Sequence, residues 1–200
     1  ALQAIATARR LGAIVEAYDT RAVVAEQVQS LGARFVALAV DAGDAQDAGG
    51  YAKAQTEEFY QRQRAELGKR LAQSDVVITT ALVPGQRAPL LIDEAAVRGM
   101  KAGSVIVDLA SENGGNCACT DPNGPTVAHG VQILPGANLA SDIPANASQM
   151  YAKNIVTFVK HLAPKGELVL DLDDEITRGS MLTHAGQVTN DRVKALLQSA

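Results

Sequence analysis

The first nineteen residues place a helix, a glycine, a short apolar strand and an acid in a fixed order, and that order restricts the fold most. Apolar side chains recur at helical spacing over residues 2–11, and Gly12 follows where a helix commonly ends. Residues 14–18 then predict a buried strand, which Asp19 closes. The pattern is that of a helix leading into a strand of an α/β sheet, with a carboxylate at the carboxyl end of the strand.

The place of Asp19 has a specific meaning in Rossmann-type dinucleotide-binding folds. There, an acid about 20 residues after a Gly-rich turn accepts hydrogen bonds from the hydroxyls of the adenosine ribose. The sequence contains no G-x-G-x-x-G, so Asp19 has this role only if the Gly-rich turn precedes Ala1. We therefore expect a chain that begins inside such a fold, without its first strand and Gly-rich loop. The alternative, a solvated acid at a strand end, stays open from position alone.

The following residues alternate between helix and strand. Predicted helices cover residues 21–31, 51–73 and 91–100, and predicted strands cover residues 34–40, 75–80, 104–109 and 131–134. This alternation predicts βαβ units and a doubly wound parallel sheet, in which ligands bind at the carboxyl ends of the strands. Residues 41–50 show no apolar periodicity and are long for a connection, which predicts a mobile functional loop.

The C-terminal quarter has a different pattern. Residues 147–162 predict a helix that leads out of the sheet, short strands are predicted at 168–172, 176–182 and around Val188, and a closing helix at 191–197. We expect an N-terminally truncated dinucleotide-binding domain over residues 1–146. Residues 147–200 are expected to be a linking helix and a return segment that belongs to a second α/β domain.

Composition excludes some classes of function. The formal net charge is −4 and no basic run occurs, so we expect no nucleic-acid partner. No apolar run reaches the roughly 18 residues that a membrane span requires. Cys117 and Cys119 are interpreted as two ordinary thiols. His129, His161 and His184 lie far apart in sequence, so they are interpreted as surface or core residues, and no metal site is predicted.

Seven stretches resemble one family in order along nearly the entire chain. They are LQAIATA at 2–8, YDTR at 18–21, GGYAK at 49–53, ITTALVPG at 78–85, GSVIVDLA at 103–110, GGNC at 114–117 and YAKN at 151–154. The chain resembles the NAD(H)-binding alpha subunit of proton-translocating NAD(P) transhydrogenases, a family related to alanine dehydrogenase. The family's N-terminal domain and Gly-rich loop would precede Ala1.

The resemblance implies a set of nucleotide-binding residues. Asp19, followed by Thr20, would bind the adenosine ribose of NAD(H), and its charge would repel the 2′-phosphate of NADP. Arg21 would lie beside it, or would be a solvated cation of the next helix. Gly50 and Tyr51 would sit on a mobile loop that closes over the nucleotide; alternatively, Tyr51 anchors the start of a helix in the core.

The same resemblance implies contacts on the other half of the sheet. Thr80, Ala81 and Leu82 would line the nucleotide where a strand turns into a loop. Glu112 would lie near the nicotinamide. The matching acid of alanine dehydrogenases takes part in catalysis, but direct hydride transfer requires positioning and water exclusion, so no catalytic residue is predicted. Gly114 and Gly115 would allow close backbone approach or form a turn, and we favour the turn.

The implied function is hydride transfer between NADH and NADP+ held on a partner domain, coupled to proton translocation. The implied partners are an NADP(H)-binding domain, a membrane proton-channel domain and a second copy of the subunit. The implied location is the cytoplasmic face of a bacterial inner membrane. Two alternatives are an alanine-dehydrogenase-like oxidoreductase and a nucleotide-binding fragment without activity. The long 41–50 segment with Gly-Gly-Tyr favours the transhydrogenase.

Overall fold

The computed structural model describes residues 1–38, 56–83 and 85–198, apart from the side chain of Arg192. Within these ranges the chain divides into two compact units, Ala1–Ala137 and Asn138–Ala200. None of the described helices is sufficiently long and apolar to cross a membrane. The domain boundary at residue 146 stays a prediction.

The first unit begins with a small helix–strand–helix–strand group. Its elements are α1 (Leu2–Arg10), β1 (Glu16–Ala17), a 3-10 turn (Ala22–Val24), α2 (Ala25–Ser30) and β2 (Arg34–Phe35). The strands are parallel and pair Glu16 with Arg34. Ile5, Val28 and Ala33 form its core. The predicted order of elements is confirmed, but both ladders are shorter than predicted, and Ile14 is 95% exposed.

The larger sheet follows in the same unit. Its elements are α3 (Glu57–Leu71), β3 (Val76–Thr79), α4 (Glu94–Gly99), β4 (Val105–Asp108), β5 (Thr126–Ala128) and β6 (Val131–Pro135). The strand order is β3-β4-β6-β5, in which the first three strands are parallel and β5 is antiparallel to β6. The apolar β-branched strands bury Ile106, Val131 and Ile133 completely, against Val97 of α4. The three-residue β5 has no counterpart in the sequence prediction.

Side-chain caps fix where the two helices of the larger sheet begin. The Oγ1 atom of Thr56 accepts a hydrogen bond from the backbone of Phe59, and Asp93 accepts one from the backbone of Ala96. Each cap satisfies an amide that the first helical turn leaves without a partner. The caps explain why α4 begins after Asp93 and not at residue 91, the start that the apolar pattern predicts.

The two parallel sheets of this unit each keep an open edge. In the described part of the chain, β1 pairs only with β2, and β3 has β4 as its single neighbour. A doubly wound sheet has the order 3-2-1-4-5-6. The β2-β1 pair and the β3-β4-β6 group match the two sides of that order, and no described strand fills the central position. The expected α/β architecture is thus confirmed.

Helix α3 connects the two sheets across that central position. The side-chain amide of Gln63 donates to the hydroxyl of Tyr18, which follows β1, over 2.8 Å. Arg70 forms an ion pair with Glu16 of β1, with 3.8 Å between Nη1 and Oε1. The helix that precedes β3 therefore also holds β1.

The second unit is mainly helical. It contains α5 (Leu139–Asp142), α6 (Pro144–Leu162), α7 (Glu175–Ser180), β7 (Thr183–His184), β8 (Gln187–Val188) and α8 (Asp191–Gln198). The predicted strand at 176–182 is wrong, because Asp174 caps a helix there by accepting from the backbone of Thr177 over 2.7 Å. Residues 168–172 form no ladder among the described residues. The closing helix is confirmed, and β7 and β8 form a short hairpin.

The core of the larger sheet generates a test of the packing. Val131→Ala removes two methyl groups from a side chain that is 0% exposed, and we expect a loss of about 2 kcal/mol in the free energy of unfolding. Val127→Ala on the adjacent strand is the matched control, because Val127 is 73% exposed, and it should cost less than about 0.5 kcal/mol. Urea denaturation of the full-length protein measures both. Equal losses would contradict the assigned core.

Candidate functional site

The candidate residues follow the carboxyl ends of three parallel strands. Asp19, Thr20 and Arg21 come after β1, Thr80, Ala81 and Leu82 come after β3, and Glu112 comes after β4. We call these three groups the rim. Most are half-buried, whereas Leu82 and Glu112 are exposed. Gly50 and Tyr51 lie outside the described residues.

Asp19 and Arg21 form a bidentate ion pair at the rim. The Nε and Nη2 atoms of Arg21 each donate to a different carboxylate oxygen of Asp19 at 2.9 Å, and the Arg21 amide also donates to Oδ1 at 2.9 Å. The hydrogen bond to Asp19 raises the pKa of Arg21. Because both side chains remain partly exposed, at 26% and 32%, the carboxylate is oriented and still accessible.

Tyr18 attaches the end of β1 to α3. Its hydroxyl accepts the hydrogen bond from Gln63, and burial raises the pKa of this phenol. Gln63 is 1% exposed, and its Oε1 atom has no hydrogen-bond partner among the described residues. The phenol thus stays protonated and neutral beside Asp19.

Asp108, the last residue of β4, is the buried centre of the other half of the site. It is 0% exposed and accepts five hydrogen bonds of 2.8–3.1 Å. The donors are the hydroxyls of Thr79 and Thr120 and the backbone amides of Ala110, Asn116 and Cys117. Sequence reasoning missed this role. The available signal was an acid inside an otherwise apolar strand, since a buried charge must be hydrogen-bonded.

Asn116 joins the segment after β4 to the segment after β3. Its Oδ1 atom accepts from the amide of Ala81 at 3.0 Å, and its Nδ2 atom donates to the carbonyls of Ala81 and Pro89 at 2.9 and 2.8 Å. Its own carbonyl accepts from the amides of Leu91 and Ile92. The structure therefore brings Ala81 and the Glu112 segment into one network. Because both backbone groups of Ala81 are occupied, this residue offers a ligand only apolar surface.

The Gly114-Gly115 pair is required by backbone geometry. Both residues have positive φ, at 97° and 76°. A Cβ at Gly115 would lie 2.9 Å from Asp108 Oδ2, and one at Gly114 would lie 2.7 Å from the side chain of Arg87. The turn and the close approach are thus both present, and the approach is to protein atoms.

The cysteines and histidines serve local structure. Cys117 and Cys119 are free thiols, and burial raises the pKa of both. Two histidines contact acids that lie far away in sequence: His129 approaches Glu94 at 2.9 Å, and in the second unit His161 approaches Asp174 at 2.7 Å. Across the described residues, no group of three or more His, Cys, Asp or Glu side chains could hold a metal ion.

The family model described as "Alanine dehydrogenase/PNT, C-terminal domain" matches residues 1–191. The chain belongs to this family. It is 46% identical over 192 residues to an NAD(P) transhydrogenase alpha subunit of Rhodospirillum rubrum, covering 94% of this chain and 50% of the relative. It is 33% identical over 128 residues to alanine dehydrogenase of Bacillus subtilis, covering 62% of this chain and 34% of the relative.

A solved structure leads to the same family. The transhydrogenase from Sinorhizobium meliloti superimposes with a TM-score of 0.70 at 39% identity, over 96% of this chain and 46% of that chain. The family resemblance and the Rossmann-like α/β fold expected from sequence are confirmed. The chain spans about half the length of these two transhydrogenase relatives.

The Asp108 network generates a stability prediction. Asp108→Asn replaces a carboxylate oxygen with an amide that cannot accept the hydrogen bonds directed at it, so we expect a loss of about 3 kcal/mol in the free energy of unfolding. Asp121→Asn is the matched control: Asp121 is exposed, and among the described residues its side chain accepts only from Asn123. Urea denaturation of the full-length protein compares them. Similar midpoints for the two variants would refute the network's importance.

Proposed function

We propose that this chain is the NAD(H)-binding portion of an NAD(P) transhydrogenase. Hydride passes between NADH at the rim and NADP+ on a partner domain, and a membrane proton-channel domain couples the transfer to proton translocation. The subunit forms a homodimer at the cytoplasmic face of a bacterial inner membrane. The proposal is supported by the oriented carboxylate of Asp19 at the end of β1, together with the 46% identity to a protein named as a transhydrogenase alpha subunit.

Asp19 provides the chemistry for choosing the nucleotide. A carboxylate accepts hydrogen bonds from the two ribose hydroxyls of NAD(H), and it repels the 2′-phosphate of NADP(H). A nearby arginine can accommodate that phosphate in NADP-binding folds. Here the guanidinium of Arg21 is engaged by Asp19 through two hydrogen bonds of 2.9 Å. The carboxylate therefore determines the preference, and Arg21 orients it.

This assignment predicts the effect of a single substitution. Asp19→Asn keeps the shape and removes the charge, so we expect NADH binding to weaken about tenfold and the difference between NADH and NADPH affinities to shrink. Asp75→Asn is the control, because Asp75 is an exposed acid before the amino end of β3, away from the rim. Equilibrium binding to the full-length protein measures each affinity. Equal affinities for both nucleotides in the unmutated protein would refute the role of Asp19.

Glu112 distinguishes the proposal from an alanine-dehydrogenase-like activity. It is exposed and lies on the 3-10 turn Ser111–Asn113, directly after β4. Direct hydride transfer between nucleotides moves no proton at a substrate carbonyl or amine. Reduction of a keto acid in the presence of ammonia does require proton transfer, for which a general acid contributes about 10²–10⁴-fold. The same residue thus has different consequences in the two reactions.

The reaction is tested with deuterium-labelled NADH and the full-length protein. We expect deuterium to appear in NADPH when NADP+ is present, and Glu112→Gln should slow this transfer by less than about tenfold, since no proton passes through the residue. Glu66→Gln on α3 is the control for a lost surface carboxylate. Deuterium found in alanine from pyruvate and ammonium, with a far larger effect of Glu112→Gln, would instead establish the alanine-dehydrogenase alternative.

A further inference from the structure

Asn116 has features of a residue that acts through its neighbours. It is 0% exposed, so it cannot touch a ligand directly. Its side-chain amide uses its hydrogen bonds on the backbone of a different segment, at Ala81 and Pro89. Nothing in the nucleotide chemistry described above uses it.

The orientation of Asn116 is determined from the side of β4. Its backbone amide donates to Asp108 at 2.8 Å, and the same carboxylate oxygen accepts from the hydroxyl of Thr120, also at 2.8 Å. The preceding residue, Gly115, allows this approach because it has no Cβ. Rotation of Asn116 would leave a buried carboxylate with fewer donors, which is costly.

Asn116 in turn replaces a missing strand partner for Ala81. The ladder between β3 and β4 ends with Thr79 opposite Asp108. Beyond it, the amide of Asn116 contacts the N–H and the C=O of Ala81 much as a neighbouring strand would. This contact holds the backbone directly before Leu82, an apolar side chain that is 48% exposed at the rim.

We propose that Asn116 is a positioning residue for the nicotinamide half of NAD(H): aligned by Asp108, it fixes the backbone of Ala81 and hence the surface that Leu82 presents to the nucleotide. The inference rests on the proposed NAD(H)-binding function. A doubly wound fold binds the two mononucleotide halves on opposite sides of the sheet. Asp19 follows β1 and serves the adenosine half, whereas Ala81 and Leu82 follow β3 on the other side.

The test compares two ligands in the full-length protein. NADH contains both halves of the nucleotide, whereas ADP contains the adenosine half and two phosphates. We expect Asn116→Ala to raise the Kd of NADH about tenfold and to change the Kd of ADP less than twofold. A general loss of structure would weaken both ligands. Asn123→Ala is the control, since Asn123 is exposed and its side chain contacts only Asp121 among the described residues.

A second pair of variants tests the same network without changing Asn116. Thr120→Val keeps the shape but removes the hydroxyl that donates to Asp108, and Thr120→Ser keeps that donor. We expect Thr120→Val to raise the Kd of NADH about threefold, and Thr120→Ser to restore the original value, again with ADP binding unchanged.

The outcomes separate the two proposals. Unchanged NADH binding in folded Asn116→Ala overturns the positioning role. Parallel weakening of NADH and ADP also overturns it, as does an unfolded Asn116→Ala together with no effect of Thr120→Val. In each of these cases the unmutated protein still binds NADH, so the proposed function stands. Failure of the unmutated protein to bind NADH would instead refute the proposed function, and the positioning role with it.

Discussion

A carboxylate without access to water must obtain its hydrogen bonds from the protein, and at Asp108 this requirement organises one end of the larger sheet. The five donors come from β3, from the turn after β4 and from the loop that ends at Thr120. An unpaired buried charge costs several kcal/mol. Any displacement of these segments removes donors from Asp108, so the segments have one strongly favoured arrangement.

This rigidity suits a reaction in which the protein contributes position. Hydride transfer between two nucleotides depends on near-attack geometry and exclusion of water, and the nicotinamide itself supplies the chemistry. The two sides of the rim achieve order differently. After β1, Asp19 is oriented by the fork of Arg21, two residues away, whereas after β3 the backbone of Ala81 is held by Asn116, which is 35 residues distant.

That difference in sequence distance explains what could be predicted. The apolar strands at 76–79 and 105–108, the α/β alternation and the place of Asp19 follow from local periodicity and could be predicted. The cap of α7 is overlooked when Ile176 and Leu182 are interpreted as strand residues, although Asp174 and Glu175 are typical of a helix start. The Asp108–Asn116–Ala81 network was missed because a single sequence does not show which distant residues meet. Its local signs were an acid in an apolar strand and a Gly-Gly pair.

The open edges of β1 and β3 place the remaining requirement of the site between them. The adenosine side, with Asp19, and the nicotinamide side, with Ala81 and Leu82, belong to separate sheets among the described strands. A nucleotide that touches both must bridge the central position, so the spacing between the sheets matters as much as either side. Helix α3 sets that spacing, because it contacts β1 through Gln63 and Arg70 and then leads into β3. The crossover helix thus fixes the distance between two half-sites, and the buried amide of Gln63 contributes to it.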